Sequence, residues 1–380
     1  MRILMYAESL RREGGTEISS LQIARALAQK GHVLDLLYER DGELHADYGA
    51  FSRWMKCSHM SIGDASPRDA IRLMPAVASG VGRRPDVIYV HRFRDVVCGR
   101  LTGTLARAPV VCHLRDMFHD TATPRLRNWA NRFVAVSHAT RDSWVADGLD
   151  PRRVEVVHSG IDPTRYPVGD EEARARARQA LGLPADAFVA LYYGRIDSDK
   201  GIDTLLRAWK RWGMPADKAQ LVLKGRPVLA SDPDRYLHEL QSRAPEGCVW
   251  LPMTDDVLTP LHAADVVVLA SVIEGLCRIV LEGMATGRPV VATRVGGNPE
   301  ILTGSFARFL FETGDDAGLV DRLASVADWR RAEPELAGSC AAHIHAHFSI
   351  ETMTTRIEEI LRGETRSDAR SRKRTGAVSL

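Results

Sequence analysis

At 380 residues the chain exceeds one ordinary core and fits two domains of roughly 100–200 residues each. Hydrophobic residues at 45% and charged residues at 26% exclude a disordered chain, a collagen-like fibre and a small disulfide scaffold. The 51 basic and 49 acidic residues leave a formal charge of +2, so no global field draws the chain onto nucleic acid or anionic lipid, and no nucleic-acid partner is expected.

Short β-branched runs alternate with amphipathic stretches from the start. Residues 2–7 predict a strand, followed by the polar loop ESLRREGGTE and a helix with Ile18, Leu21, Ala24 and Ala28 on one face. Gly31 is placed to end that helix in the left-handed conformation. Further strands are predicted at 32–38, 86–90, 109–113, 133–137 and 154–158. The charged run EEARARARQALGLP, residues 171–184, predicts a linker helix, and the pattern then restarts. Strands at 188–193, 220–223, 249–251, 265–270 and 289–293 alternate with helices, the first carrying Ile202, Leu205, Leu206, Trp209 and Trp212 at helical spacing. Such alternation calls for α/β architecture, here two doubly wound, Rossmann-like parallel sheets facing across a cleft, with ligands beyond the carboxyl ends of the strands. The basic stretch 362–380 lacks periodicity and is expected to be a disordered tail.

Six scattered cysteines without a C-x-x-C pair indicate a reducing compartment and neither a disulfide framework nor a zinc site. The opening MRILMYAES is too short for a secretory h-region, and no apolar run approaches the ~20 residues that span a bilayer. A cytoplasmic protein is expected. Weak peripheral contact with the inner membrane face through the N-terminal domain would rest on TPRLRNWANRF, residues 123–133, although a surface helix packed by Trp129 is the plainer expectation. Arg dominates the basic residues, with only seven Lys, which fits high-GC coding bias.

The chemistry-bearing loops follow strands. No P-loop and no G-x-G-x-x-G after the first strand is present, which removes the main support for ATP-hydrolysing and nicotinamide-linked functions. Gly14-Gly15 opens the first helix, where backbone approaches a ligand closely and free N–H groups face an anion. GRIDSDKG, residues 194–201, leaves the strand FVALYY with Arg195 and Lys200 beside a helix N-terminus, a setting suited to a diphosphate. Its Asp197 and Asp199 resemble a divalent-metal pair, but the two cations already supply the charge a metal would bring, so turn-capping, solvated carboxylates are expected. His343, His345 and His347 are expected to be surface histidines. No metal site is expected.

Residues 264–302 carry the most specific signal. A buried strand ends at Ser271, Glu274-Gly275 turns the chain, and a helix is expected from Leu276 through Glu282 to Gly287. The N–H groups of Leu276, Cys277, Arg278 and Ile279 can hold a phosphate oxygen, and Glu282 can accept both hydroxyls of a ribose.

With the E-x7-E of Glu274 and Glu282, the runs GMATGRPVVAT and VGGNPEIL, GRIDSDKG, the early GGTE, and VSHATR through VHSGID, the chain resembles the retaining family-4 glycosyltransferases of the two-domain GT-B fold over residues 1 to about 361. That resemblance implies an N-terminal acceptor domain at 1–166, a nucleotide-sugar domain at 167–345, and a helix at 346–361 returning to the first domain. It implies Gly15 near the donor phosphates, Arg195 and Lys200 on the diphosphate, Glu282 on the ribose and Glu274 on the transferred sugar. It further implies bacterial hexosyl transfer from a UDP- or GDP-sugar with retention, giving an α-glycoside without a cofactor or metal. The acceptor, a polysaccharide, glycolipid or natural-product precursor, is not encoded legibly. Alternatives are a non-catalytic nucleotide-sugar binder and an epimerase of the same fold. In PVVCHLRDMF, alignment on Asp116 puts Arg115, not His113, where the family has its histidine, so either residue takes that role. Both sit at alternate positions of one strand and can face the same side.

Overall fold

The computed structural model describes residues 1–61, 67–117 and 128–376. The chain divides into two compact units, one formed by Met1–Gly160 with Ile350–Leu380 and the other by Ile161–Ser349. The divisions fall at 160/161 and 349/350, whereas sequence alone placed them at 166/167 and 345/346.

The first unit holds strands β1 (Arg2–Ser9), β2 (Val33–Arg40), β3 (Ser52–Cys57), β4 (Val87–Val90), β5 (Val110–Leu114), β6 (Arg132–Ala135) and β7 (Val154–Val156). They form one parallel sheet in the order β3-β2-β1-β4-β5-β6-β7. The second unit holds β8 (Phe188–Tyr193), β9 (Ala219–Lys224), β10 (Cys248–Leu251), β11 (Val266–Leu269), β12 (Val290–Thr293) and β13 (Leu310–Phe311). These lie parallel in the order β10-β9-β8-β11-β12-β13. Each order reverses once, between β1 and β4 and between β8 and β11. Loops diverge at such a switch point and leave a crevice at the carboxyl ends of the strands.

The central strands are buried on both faces, as expected of parallel strands covered by helices. β3 escaped prediction because SRWMKC is a half-exposed edge without a continuous apolar run, and β13 because it spans only two residues. The helix Glu171–Leu181 is not a free linker. Its Arg178 is buried, bonded to Asp265 Oδ2 at 2.7 Å and to the carbonyls of Ala263, Ala185 and Ala187. This ties the helix into the second unit.

The last helix, Ile350–Gly376, belongs to the first unit. Its Met353, Ile357, Ile360 and Leu361 enter the core around Leu27 and Leu34, each such burial contributing about 1.5–3 kcal/mol. Glu358 adds an ion pair to Lys30 at 3.1 Å and a hydrogen bond to His32 at 3.0 Å. The backbone stays helical to Gly376 through residues expected to form a disordered tail. Residues 362–376 contain no proline, and five of the fifteen are Arg, a good helix former.

Of the segment considered for membrane contact, residues 123–127 lie outside the described residues. Phe133 is a buried residue of β6 and Arg132 bonds Glu364 at 2.9 Å, so neither is available to an interface. Among the described residues no helix is long and apolar enough to cross a membrane.

Candidate functional site

The loops after β8 and β11 flank the switch point of the second sheet, and their polar residues meet there. Lys200 Nζ lies 2.8 Å from Glu274 Oε1 and 3.5 Å from Asp199 Oδ2. The Ser271 hydroxyl donates to Glu274 Oε1 at 2.8 Å. Burial works against the Lys200 charge, but Glu274 and Asp199 outweigh it and hold the ammonium above the ordinary lysine value. The backbone allows this approach at two glycines. Gly201 has φ of 65°, and a Cβ there would lie 2.0 Å from the Ala270 carbonyl oxygen. Gly296 has φ of 51°, and its Cβ would come 1.6 Å from the Glu274 carbonyl oxygen. Gly297 N–H also donates to Gly275 O at 2.9 Å, so the 296–297 turn clamps the Glu274-Gly275 turn from behind.

Arg195 comes from the same loop as Lys200 but is held differently. Its guanidinium pairs with Asp197 Oδ2 and, at 3.0 Å, with Asp199 Oδ2. Asp197 is not the solvated, turn-capping carboxylate expected from sequence. It is buried, and its Oδ1 accepts the N–H groups of Val228 at 3.0 Å and Leu229 at 2.9 Å. A carboxylate removed from water needs such partners, and these fasten the Arg195 loop to the segment after β9.

The helix after the Glu274-Gly275 turn spans Arg278–Ala285, with Cys277 as its N-cap. It begins two residues later than expected, so Leu276 lies outside it. The Cys277 side chain makes no cap bond. One turn in, Glu282 is buried, and its Oε1 accepts from Arg278 Nε at 2.5 Å and from the Tyr166 hydroxyl at 2.8 Å. Arg278 Nη2 reaches Tyr166 Oη at 3.1 Å, closing a three-membered network. Arg278 is neither exposed nor free of Glu282. Tyr166 was missed, and no local pattern in DPTRYP marks it.

In the first unit, Gly14 is the N-cap of the helix Gly15–Gln29, with extended backbone that any residue adopts. Its neighbours are at ordinary contact distance, so neither strain nor crowding demands glycine at position 14. His113 and Arg115 do come together, at the carboxyl end of β5. Arg115 Nη2 lies 3.4 Å from His113 Nδ1 and 3.1 Å from His91 Nδ1, and Nη1 donates to Ser19 Oγ at 2.9 Å. Tyr89 Oη is 2.6 Å from His113 Nδ1. Burial first, then the Arg115 charge, push both imidazoles well below the usual histidine range. His91 escaped the sequence reading, although it carries nearly the same signal as His113: a polar residue at the carboxyl end of a buried strand, here just beyond β4.

Of the three late histidines, His345 and His347 are exposed, whereas half-buried His343 contacts Ile301 O through Nε2 at 2.8 Å.

The model of the family Glycosyltransferase Family 4 matches residues 13–165, and that of Glycosyl transferases group 1 matches residues 173–337. The D-inositol 3-phosphate glycosyltransferase of Streptomyces bingchenggensis is 31% identical over 291 residues, covering 64% of this chain and 63% of that protein. That of Mycobacterium tuberculosis strain F11 is 35% identical over 218 residues, covering 54% of this chain and 43% of that protein. The chain thus spans less than two thirds of the length of these relatives. In fold it is similar to Anabaena HepE in complex with UDP-glucose, with a TM-score of 0.83 at 22% identity over 96% of this chain and 100% of that one. A Rickettsia africae glycosyltransferase gives a TM-score of 0.82 at 16% identity, covering 95% and 98% of the two chains. Two family models that between them take in most of both units, on paired Rossmann-like parallel sheets, place this chain in the group 1, family 4 glycosyltransferases of the GT-B fold.

Proposed function

We propose that the protein transfers a hexosyl unit from a UDP- or GDP-sugar to an acceptor hydroxyl with retention of configuration. The observation that carries this reading is the Lys200–Glu274 contact at the switch point of the second sheet. A cation for a leaving diphosphate and a carboxylate for a sugar hydroxyl stand side by side on a glycine-built frame. The relatives named D-inositol 3-phosphate glycosyltransferase support sugar transfer, and the UDP-glucose bound to Anabaena HepE makes UDP the first nucleotide to test.

In this scheme Lys200 is the principal diphosphate cation; like Arg195, which pairs with Asp197 and Asp199, it already faces two carboxylates, Glu274 and Asp199. Arg195 adds charge at longer range, and the helix N-terminus at Arg278 and Ile279, with the Leu276-Cys277 turn before it, caps a phosphate oxygen. Glu282 keeps Oε1 on Arg278 and Tyr166 and offers Oε2 to the ribose. The same reading assigns Gly14 and Gly15 to the donor phosphates and His113 and Arg115 to the sugar. The bond from C1 to the diphosphate oxygen breaks and a bond from the acceptor oxygen to C1 forms on the same face. The acceptor proton passes to the departing phosphate. No metal is needed in this scheme, because Lys200 and the helix end stabilise the leaving group.

A second reading, a nucleotide-sugar binder without turnover, draws on the fact that Arg195, Lys200 and Arg278 each already hold a carboxylate. Incubation with UDP- and GDP-hexoses and a panel of acceptors separates the two. Release of UDP or GDP supports transfer, whereas binding without release from any donor supports the binder.

A further inference from the structure

His91 and His113 close the carboxyl ends of neighbouring strands β4 and β5, with ring centroids 5.9 Å apart, and Tyr89 packs against both. The two imidazoles share one feature. Each has its Nδ1 facing groups that can only donate or that donate best, and each has a buried Nε2 without a hydrogen-bond partner among the described residues. Arg115 has no acceptor to offer, so both Nδ1 atoms at 3.1 and 3.4 Å from Nη2 must present lone pairs. The two hydrogens of Nη2 suffice for one bond to each ring. Tyr89 Oη, 2.6 Å from His113 Nδ1, adds a hydroxyl hydrogen there. The Ser20 hydroxyl, 3.2 Å from His91 Nδ1 and 2.9 Å from Thr16 O, has one hydrogen to give to either acceptor. A neutral imidazole that accepts at Nδ1 carries its proton on Nε2.

We infer that Arg115 is a positioning residue that, together with Tyr89, locks His91 and His113 in the Nε2–H tautomer and so builds a pair of buried N–H donors awaiting oxygen acceptors from a ligand. A buried donor left without a partner calls for such an explanation. Neither ring can then serve as a base, because Nδ1 is occupied and Nε2 already bears the proton. The titratable and charged groups facing the pair are Arg115, Tyr89 and each other, while Glu17 and Tyr48 face Arg115. The lock itself is independent of the reaction. That the awaited oxygens are sugar hydroxyls rests on the sugar-transfer reading above.

The test is long-range proton–nitrogen correlation of histidine-labelled full-length protein from about pH 5 to 8, a range that spans the usual imidazole titration. The signals are assigned with His91→Gln and His113→Gln. Both rings of the wild type should show the neutral Nε2–H pattern throughout. Arg115→Met should release His91, which then mixes tautomers or titrates, and Tyr89→Phe should disturb His113 more than His91. Arg115→Lys keeps the charge but not the fork, and should keep the rings neutral while the His91 tautomers mix. Circular dichroism identifies which variants are folded, and Tyr89→Phe, which removes one oxygen, carries the test if the Arg115 variants are not. An Nδ1–H ring in the wild type, or tautomers unmoved in the folded variants, overturns the lock. Addition of UDP-glucose to the wild type reads the ligand separately. Shifted Nε2–H signals support sugar oxygens as the acceptors, and unshifted signals with the nucleotide bound overturn that assignment while leaving the lock standing.

Discussion

Lys200 and Glu274 come from loops 74 positions apart in sequence and meet at 2.8 Å where the strand order of the second sheet reverses. Burial works against the Lys200 charge there, and Glu274 offsets it. Lys200 is largely removed from water, and Glu274 has the Ser271 hydroxyl as its other hydrogen-bond donor. Glu274 therefore helps keep Lys200 ionised, and the pair fixes two loops in one geometry.

Replacing Lys200 by Ala removes the cation and strands Glu274. Turnover of a nucleotide sugar should fall by about 100-fold or more, as for loss of one preorganised electrostatic donor. Initial rates with saturating acceptor check this.

Gly296→Ala should act without touching any charged group. A methyl 1.6 Å from the Glu274 carbonyl oxygen, on backbone with φ of 51°, forces the clamp apart. We expect a loss of about 2 kcal/mol or more in stability by denaturant titration, with donor affinity reduced as well. Gly14→Ala is the control, since its surroundings leave room, and should change stability far less.

Arg278→Ala should free Glu282 Oε1 and let the carboxylate swing. On the proposed ribose role, KM for the donor rises about tenfold with a smaller change in kcat, because uniform binding is lost rather than a contact peculiar to the transition state. Tyr166→Phe removes one neutral hydrogen bond and should give the same pattern with a smaller rise. Steady-state kinetics at varied donor separate the two parameters.

Two carboxylates of the first unit set its acid response. Burial opposes the Glu39 charge, but the N–H groups of Met60 and Ser61 and the Arg92 guanidinium outweigh it and bring the carboxyl down to about 2. Glu358, with Arg362, Lys30 and His32 offsetting its burial, is also held at about 2. A carboxyl whose folded value lies below its unfolded value of about 4.3 stabilises fully above that pH and loses the contribution as pH falls toward 2. Thermal melting temperature should therefore drop between about pH 4.3 and 2, and Glu39→Gln should flatten that fall while lowering stability at neutral pH.

Much of this was legible in the sequence for a physical reason. FVALYY is apolar throughout because β8 is covered on both faces, and its predicted limits coincide with the strand. Gly31 and Gly287 were expected to end helices, and both take positive φ, at 83° and 78°. Glu274, Lys200, His113 and Arg115 were found because chemistry-bearing residues at strand ends have few purely structural reasons to be there. Their partners were harder to see. Tyr166 reaches Glu282 across 116 positions, and Arg195 meets Asp197 and Asp199 by a loop geometry that spacing alone does not fix. The Gly297–Gly275 hydrogen bond behind the Glu274-Gly275 turn is a nonlocal contact that no local propensity reports.

Calorimetric titration of UDP and GDP into wild-type protein and into Lys200→Ala tests the central claim most directly. One of the two diphosphates should bind the wild type without added metal and lose about tenfold or more in affinity in the variant, while the corresponding nucleoside shows little difference between them. Equal affinity of wild type and variant for the bound diphosphate would contradict the assignment of Lys200, and with it the site built around Glu274.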